Sequence, residues 1–222
     1  MEEAAESIQE KGSFAVALAG GSTPKALYEL LAAEYRDTVD WKKVHAFFGD
    51  ERTVPPDHEG SNYRMAQHAL LSRVPIGSVH RMRGELEPRE AATLYEEELE
   101  TFFGGAPRFD LVLLGIGEDG HTASLFPGTP ALNVADRWTV ENPVDKLDSV
   151  RLTLTVPVLN AAKKILFLVA GEGKARALKE ILGGDADPHE YPAKLIRPKG
   201  GMVWMVDRAA AQLLDQSSRE NV

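Results

Sequence analysis

FAVALAGGSTPKALYELLAA, residues 14–33, passes from an apolar run into a helical pattern through two glycines, a serine, a threonine and a proline. A run apolar at every position reads as a strand covered on both faces, and such strands belong to parallel sheets flanked by helices. Pro24 suits a first helical turn, because the N–H it lacks would have had no partner there. Thr23 is then the expected N-cap, with Ser22 just outside it. Gly20 and Gly21 let the backbone approach a ligand closely. Such a turn offers unpaired N–H groups, hydroxyls and the positive end of a helix dipole to an anion such as phosphate. By spacing alone, an ordinary capped helix after a strand reads the same way.

The pattern recurs along the chain. Apolar runs at 44–49, 109–116, 150–156, 165–170 and 202–206 read as strands. Amphipathic stretches at 24–33, 61–73, 89–103, 173–182 and 207–214 read as helices. Strand alternating with helix predicts an α/β fold with a mostly parallel central sheet and helices on both faces. One domain, residues 1–222, is expected at this length. The polar segments 53–60, 133–149 and 183–199 are long for connections and are expected to border the functional site.

Composition narrows the function classes. Lysine and arginine number 25 against 34 aspartates and glutamates, a formal charge of -9. No long-range field of that sign gathers nucleic acid or an anionic membrane, so neither is expected as a partner. An anionic ligand must be held by a local cluster. The absence of cysteine excludes disulfides, thiolate metal sites and a cysteine nucleophile, and fits a reducing compartment. With no paired-histidine motif such as H-E-x-x-H either, no metal and no cofactor is expected. The acidic start, MEEAAESIQEKGS, reads as neither a signal nor a transit peptide, and no apolar run reaches the roughly 20 residues of a membrane span. A cytoplasmic protein, monomeric or weakly homo-oligomeric, is expected.

Three further segments carry chemistry. The second strand ends in Gly49-Asp50-Glu51-Arg52, at the carboxyl edge where open α/β sheets place ligands, although three adjacent charges also suit a solvated turn. The third ends in Gly115-Ile116-Gly117-Glu118-Asp119-Gly120-His121-Thr122-Ala123-Ser124-Leu125-Phe126-Pro127-Gly128. Its first six residues match G-x-G-x-x-G, but Pro127 and Gly128 leave no room for the long helix a dinucleotide site requires. His121 beside Asp119 is a candidate base, since a carboxylate orients an imidazole and raises its basicity. Arg151, and Lys174 in Gly171-Glu172-Gly173-Lys174, are candidate anion contacts; the latter lacks the glycine spacing and the hydroxyl residue of a P-loop.

In one order the chain carries GGSTP, FFGDER followed by SNYRMA, DLVLLGIGEDGHTASLFPG, RLTLT with VLNAA, and GEGKA. This series, spanning about residues 14–214, resembles the 6-phosphogluconolactonase family, to which the DGHTASLFPG segment is highly specific. The resemblance implies hydrolysis of 6-phosphogluconolactone, a small sugar-phosphate lactone, to 6-phosphogluconate in the oxidative pentose phosphate pathway. It also implies a fold shared with glucosamine-6-phosphate isomerases. His121 would correspond to the general base. Asp50, Arg52 and Asp119 would line the sugar pocket, and Gly21, Ser22 and Thr23, with Arg151 and Lys174, would bind phosphate. Related isomerases carry a glutamate where Phe126 stands. Members of the family usually have a longer strand and helix ahead of GGSTP, and often a PKPP-like segment before RLTLT. Here Val144-Asp145-Lys146-Leu147-Asp148 fills that second position.

Overall fold

The computed structural model describes residues 2–214. In chain order the elements are α1 (Glu2–Lys11), β1 (Phe14–Leu18), α2 (Ser22–Glu34), β2 (Val44–Phe48), β3 (Asp50–Arg52), α3 (Asn62–Ala66), β4 (Ser78–Val79), α4 (Pro88–Phe103), β5 (Leu111–Leu114), β6 (Thr139–Val144), β7 (Ser149–Leu154), α5 (Val156–Asn160), β8 (Ile165–Val169), α6 (Ala175–Gly183) and β9 (Met202–Val206). Six strands form a parallel sheet in the order β4-β2-β1-β5-β8-β9. From the neighbours β1 and β5 the chain winds outward in opposite directions. That is the topological switch point at which open sheets leave a crevice beyond the strand ends.

Alternate residues of each central strand enter different cores. Phe14, Val16 and Leu18 of β1, with Val44, Ala46 and Phe48 of β2, pack with residues of α1, α2 and α3. Ala15, Ala17, Phe47, Val112, Leu114, Phe167 and Val169 face the other way and pack with residues of α4 and α6. The expected sheet with helices on both faces is therefore present. Two buried tyrosines tie helices to strand ends: Tyr28 Oη donates to Ala19 O at 2.9 Å and accepts from Ala19 N at 3.0 Å, and Tyr95 Oη does the same for Phe48 at 3.0 and 2.9 Å.

The structure corrects several expectations. The run at 150–156 does not join the parallel sheet: β7 is the middle strand of a second, antiparallel sheet, β3-β7-β6. Its partner β6 lies inside the segment 133–149 read as a connection, because cross-strand pairing with β7 overrides the poor local strand signal of TVENPV. Helix 61–73 is α3 continued by a π-helical turn, Gln67–Leu71, and 207–214 forms only the 3₁₀ turn Ala210–Leu213. Thr23 is not the N-cap of α2. Gly21, at φ +100°, turns the chain so that the helix starts at Ser22, and Gly21, standing at the N-cap, has no side chain to cap it.

Gly49 joins the two sheets, its N–H donating to Leu18 O and its carbonyl accepting from Leu154 N, both at 2.9 Å. The chain continues into β3, where charges expected to be hard to bury are covered: Asp50 is 8% exposed and Glu51 2%. Glu51 survives burial because its carboxylate accepts from Arg52 N at 2.8 Å, Asn62 N and Tyr63 N at 2.7 Å, and Ser61 Oγ at 3.0 Å. Ser61 Oγ in turn accepts from Arg64 N at 3.1 Å, so β3 and the first turn of α3 are one hydrogen-bonded unit. Glu51→Gln puts an amide donor against N–H groups that need an acceptor. Urea unfolding should show a loss of about 1–3 kcal/mol, and an unchanged midpoint would count against this role.

Candidate active site

A cavity of about 520 Å³ opens at the carboxyl ends of β1, β2, β5 and β8 and is closed on one side by the second sheet. Asp50, Arg52, Asp119, His121, Arg151, Lys174, Gly20 and Gly21 all line it. Ser22 and Thr23 line an adjoining recess of about 140 Å³, together with Gly20, Gly21 and Lys174. Residues far apart in sequence are thus brought together as the motifs implied.

His121 follows the tight turn after β5. Gly117 N donates to His121 O at 2.8 Å, and a Cβ on Gly117 would stand 2.0 Å from the ring Nδ1. Only glycine leaves room for the ring. His121 Nδ1 lies 2.5 Å from Asp119 Oδ1, and the ring stacks on Phe126 with centroids 4.1 Å apart. Against a carboxylate Nδ1 carries the proton, which leaves Nε2 as the proton-accepting nitrogen. Asp119 favours the imidazolium, yet burial pushes the His121 pKa down to about 4; Asp50 opposes that shift, and Lys174, Arg151 and Arg52 add to it. The imidazole is neutral across the physiological range.

The hairpin turn 122–125 presents Ser124 inward. Its Ala123 adopts φ +46°, a left-handed conformation that costs a non-glycine residue about 1–3 kcal/mol. Ser124 Oγ donates to Asp50 Oδ2 at 2.6 Å, and Asn62 Nδ2 donates to Asp50 Oδ1 at 3.2 Å. Asp50 is thereby fixed on both oxygens. Asn62 Oδ1 is buried with no hydrogen-bond partner among the described residues.

Antiparallel pairing of β3 with β7 sets Arg52 opposite Arg151. Arg52 Nη1 donates to Gly60 O at 2.6 Å and Arg151 Nη1 to Ser149 Oγ at 2.9 Å. Burial, then Arg52, pushes the Arg151 pKa below its ordinary value, although a guanidinium stays protonated. Among the described residues neither arginine nor Lys174 forms an ion pair with a carboxylate. Three cations that form no ion pair among the described residues, gathered in one cavity of an acidic protein, could together hold an anion of more than one charge.

Residue-by-residue reading of the sequence missed several lining residues, among them Asn62, Ser124 and Lys146. Asn62 sits in SNYRMA, read as scaffold; Ser124 lay within a quoted motif without a role; Lys146 lay in the 133–149 segment expected only to border the site. Asn62 and Ser124 owe their roles to contacts with Asp50, which lies 12 and 74 residues away in sequence.

The family model described as glucosamine-6-phosphate isomerases/6-phosphogluconolactonase matches residues 1–205. The chain belongs to this family. A 6-phosphogluconolactonase of Synechocystis sp. is 49% identical over 215 residues, covering 93% of this chain and 87% of that protein. Among solved structures, the 6-phosphogluconolactonase from Thermotoga maritima superposes with a TM-score of 0.81 at 36% identity, covering 92% of this chain and 90% of that one. A monomeric glucosamine-6-phosphate deaminase superposes with a TM-score of 0.76 at 24% identity, over 94% of this chain and 91% of that one, a likeness of fold alone.

Gly117→Ala should leave the fold intact but displace the His121 ring. Because misplacement by about 1 Å can cost on the order of 10²-fold in rate, turnover should fall by that order while thermal unfolding stays near wild type. Full activity in this variant would show that the ring position is not critical.

Proposed function

We propose that this chain hydrolyses 6-phosphogluconolactone to 6-phosphogluconate, with water as nucleophile and His121 as general base. The activity is that of its close relatives. The observation that carries the mechanism is His121 held through Nδ1 by Asp119 beside a cavity that also holds three unpaired cations. A δ-lactone is already electrophilic, so no covalent enzyme intermediate is needed. As a water oxygen bonds to C1, its proton passes to His121 Nε2 and the carbonyl π pair moves to oxygen. Arg52 stabilises that oxyanion, a preorganised contact commonly worth about 3 kcal/mol. When the oxyanion collapses, the bond from C1 to the ring oxygen breaks and the ring oxygen takes the proton from His121.

Lys174 lines both the main cavity and the recess formed by Gly20, Gly21, Ser22 and Thr23. The proposal therefore puts the phosphate against the N-terminus of α2 and Lys174, with Arg151 between phosphate and sugar. Binding free energy from that remote group positions the reacting carbonyl. Phe126 occupies the place at which related isomerases carry a glutamate, which argues against ring-opening isomerase chemistry and against a deaminase. No described helix is long and apolar enough to cross a membrane. One domain over 1–222, in the cytoplasm, monomeric or weakly homo-oligomeric and without a nucleic-acid partner, completes the reading.

His121→Asn removes the proton acceptor at similar size, so turnover should fall by about 10²–10⁴-fold with 6-phosphogluconate binding retained. With its pKa lowered to about 4, His121 is in base form above that pH. The wild-type rate should hold as pH drops through 6.5 and decline only near 4, and that limb should vanish in the variant. The measurement is a pH series corrected for spontaneous lactone opening. Near-normal turnover of folded His121→Asn would move the base to Asp50 or Asp119.

Removing the phosphate from the substrate should lower kcat/KM mainly through the lost phosphate contacts, and Lys174→Ala or Arg151→Ala should narrow the gap between the two lactones. Wild-type discrimination in both variants would place the phosphate elsewhere.

A further inference from the structure

Lys146 has no part in the mechanism above, yet it stands beside the proposed base. It sits on the 3₁₀ turn Asp145–Leu147 at the tip of the β6–β7 hairpin. The hairpin closes at the pair Val144↔Ser149, and Asp148, at φ +44°, takes the left-handed conformation that returns the chain into β7. Aspartate tolerates that conformation better than most residues. This register carries the Lys146 side chain over the cavity rim. Its Nζ contacts Asp119 Oδ2 and lies 4.7 Å from the centre of the Phe126 ring. Asp119 Oδ1 holds His121, and His121 stacks on the same Phe126 ring.

We propose that Lys146 is a positioning residue for the hydrolysis: by holding one oxygen of Asp119 it fixes the other on His121 Nδ1–H, and its charge offsets part of that carboxylate's. The inference rests on His121 being the base. A carboxylate bonded through one oxygen only is free to rotate and to share its full charge with the imidazole. With Nζ on the second oxygen, the plane of the carboxylate and the direction of Nδ1–H are both set. Part of the Asp119 charge is neutralised as well, so it raises the basicity of His121 less than a lone carboxylate would. The other charged or titratable groups around His121 are Asp50 and Arg52 on β3, Arg151 on β7, Lys174 after β8, Glu118 in its own loop, and Tyr191, which packs against Gly120. None of them forms an ion pair with Asp119 among the described residues. Among the described residues Lys146 is the one cation besides His121 in an ion pair with that carboxylate.

The test compares Lys146→Met, Lys146→Arg, Asp119→Asn and the double variant Asp119→Asn/Lys146→Met, each assayed for kcat, KM and pH profile with the phosphorylated lactone. His121 is titrated by NMR in every protein. In Lys146→Met, kcat should fall about tenfold with KM within about threefold of wild type, and the His121 titration and the acid limb of kcat should move up by about one pH unit. Lys146→Arg should restore the wild-type limb. In the Asp119→Asn background, Lys146→Met should have little further effect, since its action runs through that carboxylate. A large rise in KM with an unmoved titration would make Lys146 a phosphate contact and overturn the inference, as would wild-type behaviour on every readout. Failure of the base reading is seen separately: His121→Asn would keep its turnover, while the NMR shift in Lys146→Met would still report on the contact.

Discussion

A buried carboxylate at position 51 holds the active-site half of this protein together. Glu51 lies two residues past the glycine joining the two sheets, and its four hydrogen bonds reach its own strand and the first turn of α3. Burial raises its pKa while the backbone donors resist that shift, so the charge is held by N–H groups rather than by a cation. The consequence lies on either side of it. Asp50 and Arg52 line the cavity as neighbours of a residue held by four hydrogen bonds, and Asn62, on the helix that Glu51 anchors, reaches back to fix Asp50.

From that anchor the site is assembled by convergence. Loops after β1, β5 and β8 come from one edge of the parallel sheet, and the antiparallel sheet brings Arg52, Arg151 and Lys146 over them. The formal charge of -9 is thereby reversed locally: the cavity lining carries four lysines and arginines against Asp50, Glu118 and Asp119. Three of these cations, Lys174, Arg151 and Arg52, add to the burial that lowers the His121 pKa, so an anion bound among them would raise it.

Legibility differed from element to element. The strands 14–19, 165–170 and 202–206 were readable because each is a contiguous apolar run, 44–49 because its run is broken only by His45, and helix 89–103 because its apolar periodicity spans α4. TVENPV was not readable as a strand: a charge, an amide and a proline mask it, and only pairing with β7 makes it one. DER gave no sign that two acidic residues would be buried, because the donors that permit it come mostly from residues 61–63. Thr23 looked like a cap by residue type, but the positive φ of Gly21 starts the helix one residue before it.

By itself the sequence determined the alternation of covered strands and amphipathic helices, the glycine-rich turns at strand ends, the lack of thiolate chemistry, and the motif series that marks the family. These are local properties, set by side-chain size, polarity and backbone freedom within a few residues. The tertiary structure decided which strands leave the central sheet, which carboxylates are buried, and that Lys146, Asn62 and Ser124 share a cavity with His121. The physical reason is that hydrogen-bond partners, desolvation and the sum of nearby charges depend on distance in space. Asp50 and Ser124, 74 positions apart, meet at 2.6 Å only after two sheets and a hairpin have packed.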